Sequence, residues 1–288
     1  MGAGAILSWS YMQSSNNCQY VSPNTEKANM NTTIKDKTVL ITGASAGIGE
    51  ACAQIFAQAG AKLILTARRE SKLIKLAERL TDEYSASVLA LAMDVRDNEA
   101  VEKLVHNLPE DFQDIDILVN NAGLVIGVEK AHQTPIHDVD VMLDTNVKGV
   151  LNLIRAIVPA MVTRNTGHII NISSIAGHEA YPGGSIYCAS KHAVDALTKS
   201  LRMDLVSTPL RVTAISPGLV NTEFSSVRFK GDLDRANAVY QGLEALVAMD
   251  IAEAVFFAAS RPEHVQIADM IIFPTQQAAA TVVHRNAV

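Results

Sequence analysis

Of the six tyrosines in this chain, only Tyr187 has a lysine four residues on, at Lys191. On a helix that spacing stacks both side chains on one face. A phenol with its ordinary pKa of about 10 carries protons poorly near neutrality, and a nearby ammonium favours the ionised form. The pair is therefore a candidate acid/base. Alone, tyrosine and lysine at this spacing are common surface decoration, so companions decide the matter. Ser174 lies just past the apolar run His168-Ile-Ile-Asn-Ile172, where its hydroxyl can bond a substrate oxygen. Asn146, within Asp144-Thr-Asn-Val147, can anchor a water relay to Lys191.

A second chemistry stands near the start. The segment Thr42-Gly-Ala-Ser-Ala-Gly-Ile-Gly49 follows a β-branched run and precedes a helical one. Gly43, Gly47 and Gly49 let a backbone turn sharply and approach a pyrophosphate, with Ser45 and Ile48 carried in the same turn. The helix N-terminus beyond offers free N–H groups and a positive dipole. A glycine-rich turn often joins strand to helix without a ligand, but in a first strand–helix unit this is the dinucleotide arrangement. The end of the next strand reads Thr66-Ala67-Arg68-Arg69, where an NAD enzyme usually carries a carboxylate. Two guanidiniums at Arg68 and Arg69 suit a 2′-phosphate instead, which points to NADP(H). The plain alternative is a solvated helix start, which the helix dipole disfavours for cations. Asp94 and Val95 follow the third strand, with Asp94 aimed at an adenine amino group. Asn121, in Asn120-Asn-Ala-Gly123, follows the fourth.

These residues need a frame that brings strand ends together. Buried-strand runs are expected at Thr38–Thr42, Lys62–Thr66, Ser87–Ala92, Ile115–Val119, His168–Ile172, Arg211–Ile215 and Asp269–Phe273. Helical stretches separate them, at Gly47–Ala59, Glu70–Glu83, Asn98–Asn107, Val139–Thr163 and Ser185–Ser207. The alternation predicts right-handed crossovers and an α/β fold. This is one Rossmann-like doubly wound domain over 34–288, with a mostly parallel seven-stranded sheet and helices on both faces. In such sheets ligands sit beyond the carboxyl ends of the strands, where the glycine turn, Arg68, Arg69, Asp94, Val95, Asn121 and Ser174 fall.

Composition closes off other classes. A net charge of −6 gives no electrostatic reason to expect nucleic acid. Eight scattered histidines show no metal-ligand spacing, so no metal is expected. Cys18, Cys52 and Cys188 stand far apart, which argues for a reducing compartment rather than a disulfide framework. The apolar stretch from Val147 to Val162 is interrupted by Lys148, Arg155 and Pro159, and no membrane span is expected. Residues 1–33 are rich in Ser and Asn and lack hydrophobic periodicity; they read as a disordered tail or a non-native start, with Met30 the alternative initiator.

Taken together, the glycine turn, Asn120-Asn-Ala-Gly123, Asn146, Ser174, Tyr187-x-x-x-Lys191 and Pro217-Gly218 resemble the short-chain dehydrogenase/reductase family from about Lys37 to Pro274. The resemblance implies a catalytic tetrad of Asn146, Ser174, Tyr187 and Lys191, with Lys191 also bonding the nicotinamide ribose. It further implies that Pro217, Gly218, Val220 and Thr222 touch the nicotinamide end. Leu118–Leu124, Ala180–Lys191 and Pro217–Gly231 are similar to a narrower group, the NADP-dependent 3-hydroxy acid dehydrogenases of bacteria and yeast. That likeness implies serine, L-allo-threonine or a related substrate, a cytoplasmic homotetramer, and association through the long helices with Gln276–Val288 crossing between subunits. A carboxylate substrate needs a cation, for which Arg228 and Lys230 are the basic candidates, while Tyr181 and His178 flank the same region. The rival readings are a general carbonyl or sugar-alcohol reductase with the same tetrad, and a catalytically silent NADP(H)-binding sensor.

Overall fold

In the computed structural model, which describes residues 34–287, seven strands form a single sheet. They are β1 (Thr38–Thr42), β2 (Lys62–Ala67), β3 (Val88–Ala92), β4 (Ile115–Asn120), β5 (His168–Ile172), β6 (Arg211–Pro217) and β7 (Asp269–Ile272). Their spatial order is β3-β2-β1-β4-β5-β6-β7, and every neighbouring pair is parallel. The order reverses between β1 and β4, which is the switch point where such sheets open a crevice. The tail reading of residues 1–33 lies outside the described residues.

Helices α1 (Gly47–Gln58), α2 (Glu70–Tyr84), α3 (Asn98–His106), α4 (Ile136–Leu143), α5 (Gly149–Arg164) and α6 (Ser185–Asp204) make the crossovers. Two short helices, α7 (Glu223–Arg228) and α8 (Leu233–Ala238), follow β6, and α9 (Ala248–Ala259) precedes β7. Alternate residues of the strands feed opposite layers. Val39, Ile41, Leu63 and Leu65 pack with Phe56, Val255 and Phe256 from α1 and α9. Leu40, Ile64, Leu118 and Ile169 pack with Leu153, Ile157, Val194 and Leu201 from α5 and α6. Both faces of the sheet are therefore covered, which explains why the strands read as continuous apolar runs rather than alternating ones.

Local signals set the ends. Asp97 caps α3 by accepting from the Ala100 N–H at 3.0 Å. Helix α5 stops at Asn165, whose left-handed φ of +58° asparagine tolerates better than most residues.

The long helix expected from Val139 to Thr163 is interrupted. Between α4 and α5, Asp144–Lys148 form one π-helical turn, and the Gly149 N–H reaches the Asp144 carbonyl five residues back. Gly149 follows the turn, and a Cβ there would lie 2.6 Å from the Val95 Cγ2, so it is the missing side chain that lets the helix pass β3's loop closely. Apolar spacing alone does not betray such an insertion. Helices α7, α8 and α9 were not expected. The first two are only six residues each, whereas α9 carries a readable stripe of Ile251, Ala252, Val255, Phe256 and Ala259. No helix among the described residues is long and apolar enough to cross a membrane.

Candidate active site

At the carboxyl ends of the strands, a cavity of about 460 Å³ runs from the turn after β1 to the start of α6. Gly43, Ser45, Gly47 and Ile48 form its floor at one end. Gly47 adopts a φ of +58° that L side chains rarely take, and it presents only hydrogen to the cavity. Helix α1 begins here without a side-chain cap, so its first N–H groups stay available to an anion. Gly49, expected on the cofactor path, stands behind it instead. A Cβ there would lie 2.5 Å from Asn121 Nδ2 and 2.6 Å from the Gly43 carbonyl, so this glycine closes the turn against the β4 loop.

Asn121 ties the same joint by donating Nδ2 to the Thr42 carbonyl at 2.9 Å. It also touches the cavity, as do Asp94 and Val95. The Asp94 carboxylate is gripped by Arg96, whose Nε lies 3.0 Å from each oxygen, and this holds the acid below the usual carboxylate range. At the open end stand Arg68 and Arg69. Arg69 donates Nε and Nη2 to Ser45 Oγ at 3.1 and 3.0 Å, linking the end of β2 to the glycine turn.

At the far end Tyr187, Ser174 and Lys191 share the wall. The Lys191 ammonium lies 5.9 Å from the centre of the Tyr187 ring and donates to the Ile172 carbonyl at 2.8 Å. Lys191 is only 5% exposed, and burial pulls its pKa down to about 8. Burial also pushes the Tyr187 phenol well above its usual value, outweighing the Ser174 hydroxyl and Arg228, which draw it down. The expected help from the lysine is thus opposed by desolvation.

Asn146 sits on the π turn, fully buried and off the cavity wall. Its Oδ1 accepts from the Leu124 N–H at 2.8 Å, and its Nδ2 donates to the Leu124 carbonyl and to Ser190 Oγ. Gly123 separates it from Lys191: a Cβ there would be 3.3 Å from Asn146 Oδ1 and 3.6 Å from Lys191 Nζ.

The sequence pattern of the short chain dehydrogenases matches residues 37–232. The NADP-dependent 3-hydroxy acid dehydrogenase of Schizosaccharomyces pombe is 46% identical over 251 residues, spanning 87% of this chain and 97% of that protein. This chain belongs to the short-chain dehydrogenase family. The NADP-dependent 3-hydroxy acid dehydrogenase of Salmonella typhi is 48% identical over 250 residues, 86% of this chain and 99% of that one. Serine dehydrogenase, solved in its closed form with NADP+, is 45% identical, covers 86% of this chain and 100% of its own, and has a TM-score of 0.81.

In this short-chain dehydrogenase, the end of β6 and the segment after it bring Pro217, Gly218, Val220 and Thr222 to the cavity, and α7 follows along its rim. Thr222 caps α7 through the Phe224 N–H, and the Phe224 ring meets Tyr187 edge-on at 5.7 Å. Arg228, at the end of α7, faces the cavity over the Tyr181 ring at 5.7 Å. Its Nε and Nη2 lie 3.4 Å from the carbonyls of Gly127 and Gly183.

Lys230 turns away instead and pairs with Asp138 at 2.9 Å. His178 also turns away, bonding Ser216 Oγ at 2.9 Å beside Asp269 and Asp195, the latter held by Lys199 at 2.6 Å. Residues that sequence reasoning missed include Glu223, Tyr240 and Gln277, all on the cavity. Within this chain the segment Gln276–Val288, expected to cross between subunits, packs locally at several points. Gln277 is buried beneath the turn after β6, accepting from the Leu219 N–H at 2.8 Å, and the Asn286 N–H bonds the Gly242 carbonyl. No spacing signal marks such a long return.

Proposed function

We propose that this NADP-dependent oxidoreductase acts on the CH–OH group of a small 3-hydroxy acid such as serine or L-allo-threonine. The observation that carries the reading is the convergence of Tyr187, Ser174, Lys191 and Arg228 on one end of a cavity whose other end holds Arg68 and Arg69. The residues fit a phosphorylated dinucleotide. A positive-φ glycine and an uncapped helix start suit the pyrophosphate, and the paired guanidiniums suit the 2′-phosphate. Bound NADP supplies the hydride acceptor, or the donor in the reverse direction.

The chain's own residues do the rest. The Ser174 hydroxyl bonds the substrate oxygen and orients it toward Tyr187, which takes the alcohol proton in oxidation and returns it in reduction. Lys191 holds positive charge beside the phenol and bonds the ribose. Asn146 positions the loop between β4 and α4 through Leu124, acting on the site from behind it. Arg228 offers a guanidinium to the substrate carboxylate, a pairing suited to its planar donor fork.

The names of the similar proteins support both the cofactor and the acid substrate. We also read the protein as a cytoplasmic homotetramer. Exposed Leu151 and Val162 on α5, together with Met203 and Val206 at the end of α6, favour association, while the free thiols of Cys52 and Cys188 suit a reducing compartment. Sedimentation equilibrium checks the oligomer.

Turnover of serine, L-allo-threonine, 3-hydroxyisobutyrate and matched uncharged alcohols and ketones with NADP tests the substrate. Acids should dominate in the wild type, and Arg228→Ala should raise KM for the acids alone. Equal turnover of uncharged ketones would instead identify a general carbonyl or sugar-alcohol reductase.

A further inference from the structure

The mouth of the cavity contains an anion of its own. Glu223, the first residue of helix α7, accepts from Arg69 Nη1 at 2.8 Å through Oε2 and from Lys72 Nζ at 2.9 Å through Oε1. Arg69 is at the same time bonded to Ser45 in the glycine turn. One carboxylate thus joins α7, the start of α2 and, through Arg69, the turn after β1. The two cations hold the acid below the usual carboxylate range, so Glu223 is charged at neutral pH. It lines the cavity together with Arg68 and Arg69.

These groups are the ones a 2′-phosphate needs. A phosphate monoester carries about −1.5 to −2 charge near neutrality and seeks guanidinium N–H groups and hydroxyls. It cannot share Arg69 with Glu223 without setting two anions a few ångströms apart at a half-exposed site, where charges still repel appreciably. Glu223 can give up the pairing without being buried uncompensated, because its side chain is half exposed and turns readily to water.

We propose that Glu223 is a determinant of cofactor specificity, an internal competitor that occupies Arg69 and Lys72 until a 2′-phosphate displaces it. The inference rests on the reading that Arg69 receives the 2′-phosphate. Affinity for the phosphorylated cofactor is then lower than the cations alone would give, which favours its release after turnover. Because Arg228 stands at the other end of the same six-residue helix, unlatching Glu223 also frees the segment that faces the substrate.

The test uses the full chain and four ligands: NADPH, NADH, 2′,5′-ADP and 5′-ADP. Glu223→Gln keeps the side-chain shape and removes the charge, and Glu223→Ala removes both. Each should tighten NADPH and 2′,5′-ADP by roughly 1.5- to five-fold, the range expected for a partly exposed ion pair, and leave NADH and 5′-ADP unchanged. Unchanged or weaker binding of the phosphorylated ligands in both variants would overturn the proposal. Arg69→Ala separates the two levels of the argument. If it lowers the preference for NADPH over NADH while the Glu223 variants do nothing, the phosphate site stands and the competition fails. If it leaves that preference intact, the phosphate is held elsewhere and the underlying reading fails as well. Thermal unfolding of each variant checks that the exposed substitutions leave the fold intact.

Discussion

Tyr187 and Lys191 occupy one crevice and answer to the same physical pressure in opposite senses. Burial disfavours a phenolate and an ammonium alike, so the phenol's pKa rises while the lysine's falls to about 8. Tyr187→Phe keeps the ring and its contact with Phe224 but removes the transferable proton. It should lower kcat by roughly 10²- to 10⁴-fold, with NADPH affinity near that of the wild type. Loss of cofactor binding in step with turnover would assign Tyr187 a structural part instead.

The lysine makes a second prediction. Below about pH 8 it is charged in both the folded and unfolded chains, and folding carries the whole cost of burying that charge. Above pH 8 the unfolded chain holds more protons, so this cost shrinks until the ordinary value of 10.5 is passed. The stability gained by Lys191→Met should therefore be largest near neutrality and shrink by about 1.4 kcal/mol per pH unit above pH 8. Urea unfolding of both proteins at about pH 7 and about pH 9.5 measures it. Taking the difference between variants cancels other groups that titrate there, among them Cys52, which burial pushes up to about 12.

At the scale of elements, the glycine turn does two jobs that its spacing merges. Gly43 and Gly47 line the cavity, whereas Gly49 stands behind it, and both Gly43 and Gly49 fit the turn against the segment after β4. Gly43 has a φ of +67°, and a Cβ there would lie 2.9 Å from the Ala122 Cα. Gly43→Ala should destabilise the protein by roughly 1–3 kcal/mol, since it adds left-handed strain to a backbone clash, and should weaken NADPH binding with it. A variant as stable as the wild type would show that the two segments separate more easily than their contacts suggest. The π turn at Asp144–Lys148 is the other element that matters here. It swings Asn146 inward to clamp Leu124, a position that regular helical spacing would not reveal.

For the whole molecule, the parallel order with its reversal between β1 and β4 gathers residues from Gly43 to Gln277 around one opening. A ligand that spans this opening touches both halves of the sheet, so its binding should resist global unfolding. Ligand at a hundred times its Kd adds about 2.7 kcal/mol to stability. NADP should therefore raise the melting temperature more than NAD at equal concentration. Equal shifts would mean that Arg68 and Arg69 do not read the 2′-phosphate.

The strands, their parallel sheet, the glycine turn and the placing of Tyr187, Lys191, Ser174 and the paired arginines were legible from the order of residues along the chain. Those features depend on local spacing and on apolar runs that only a doubly covered sheet can bury, and both are written along the chain. Tertiary structure alone decided which polar groups meet. Glu223 reaches Arg69 across 154 residues, Lys230 is diverted to Asp138, and Gln277 returns beneath Leu219. Pairings of that kind follow from where folded segments cross, and a charge or an amide in the sequence carries no record of its distant partner.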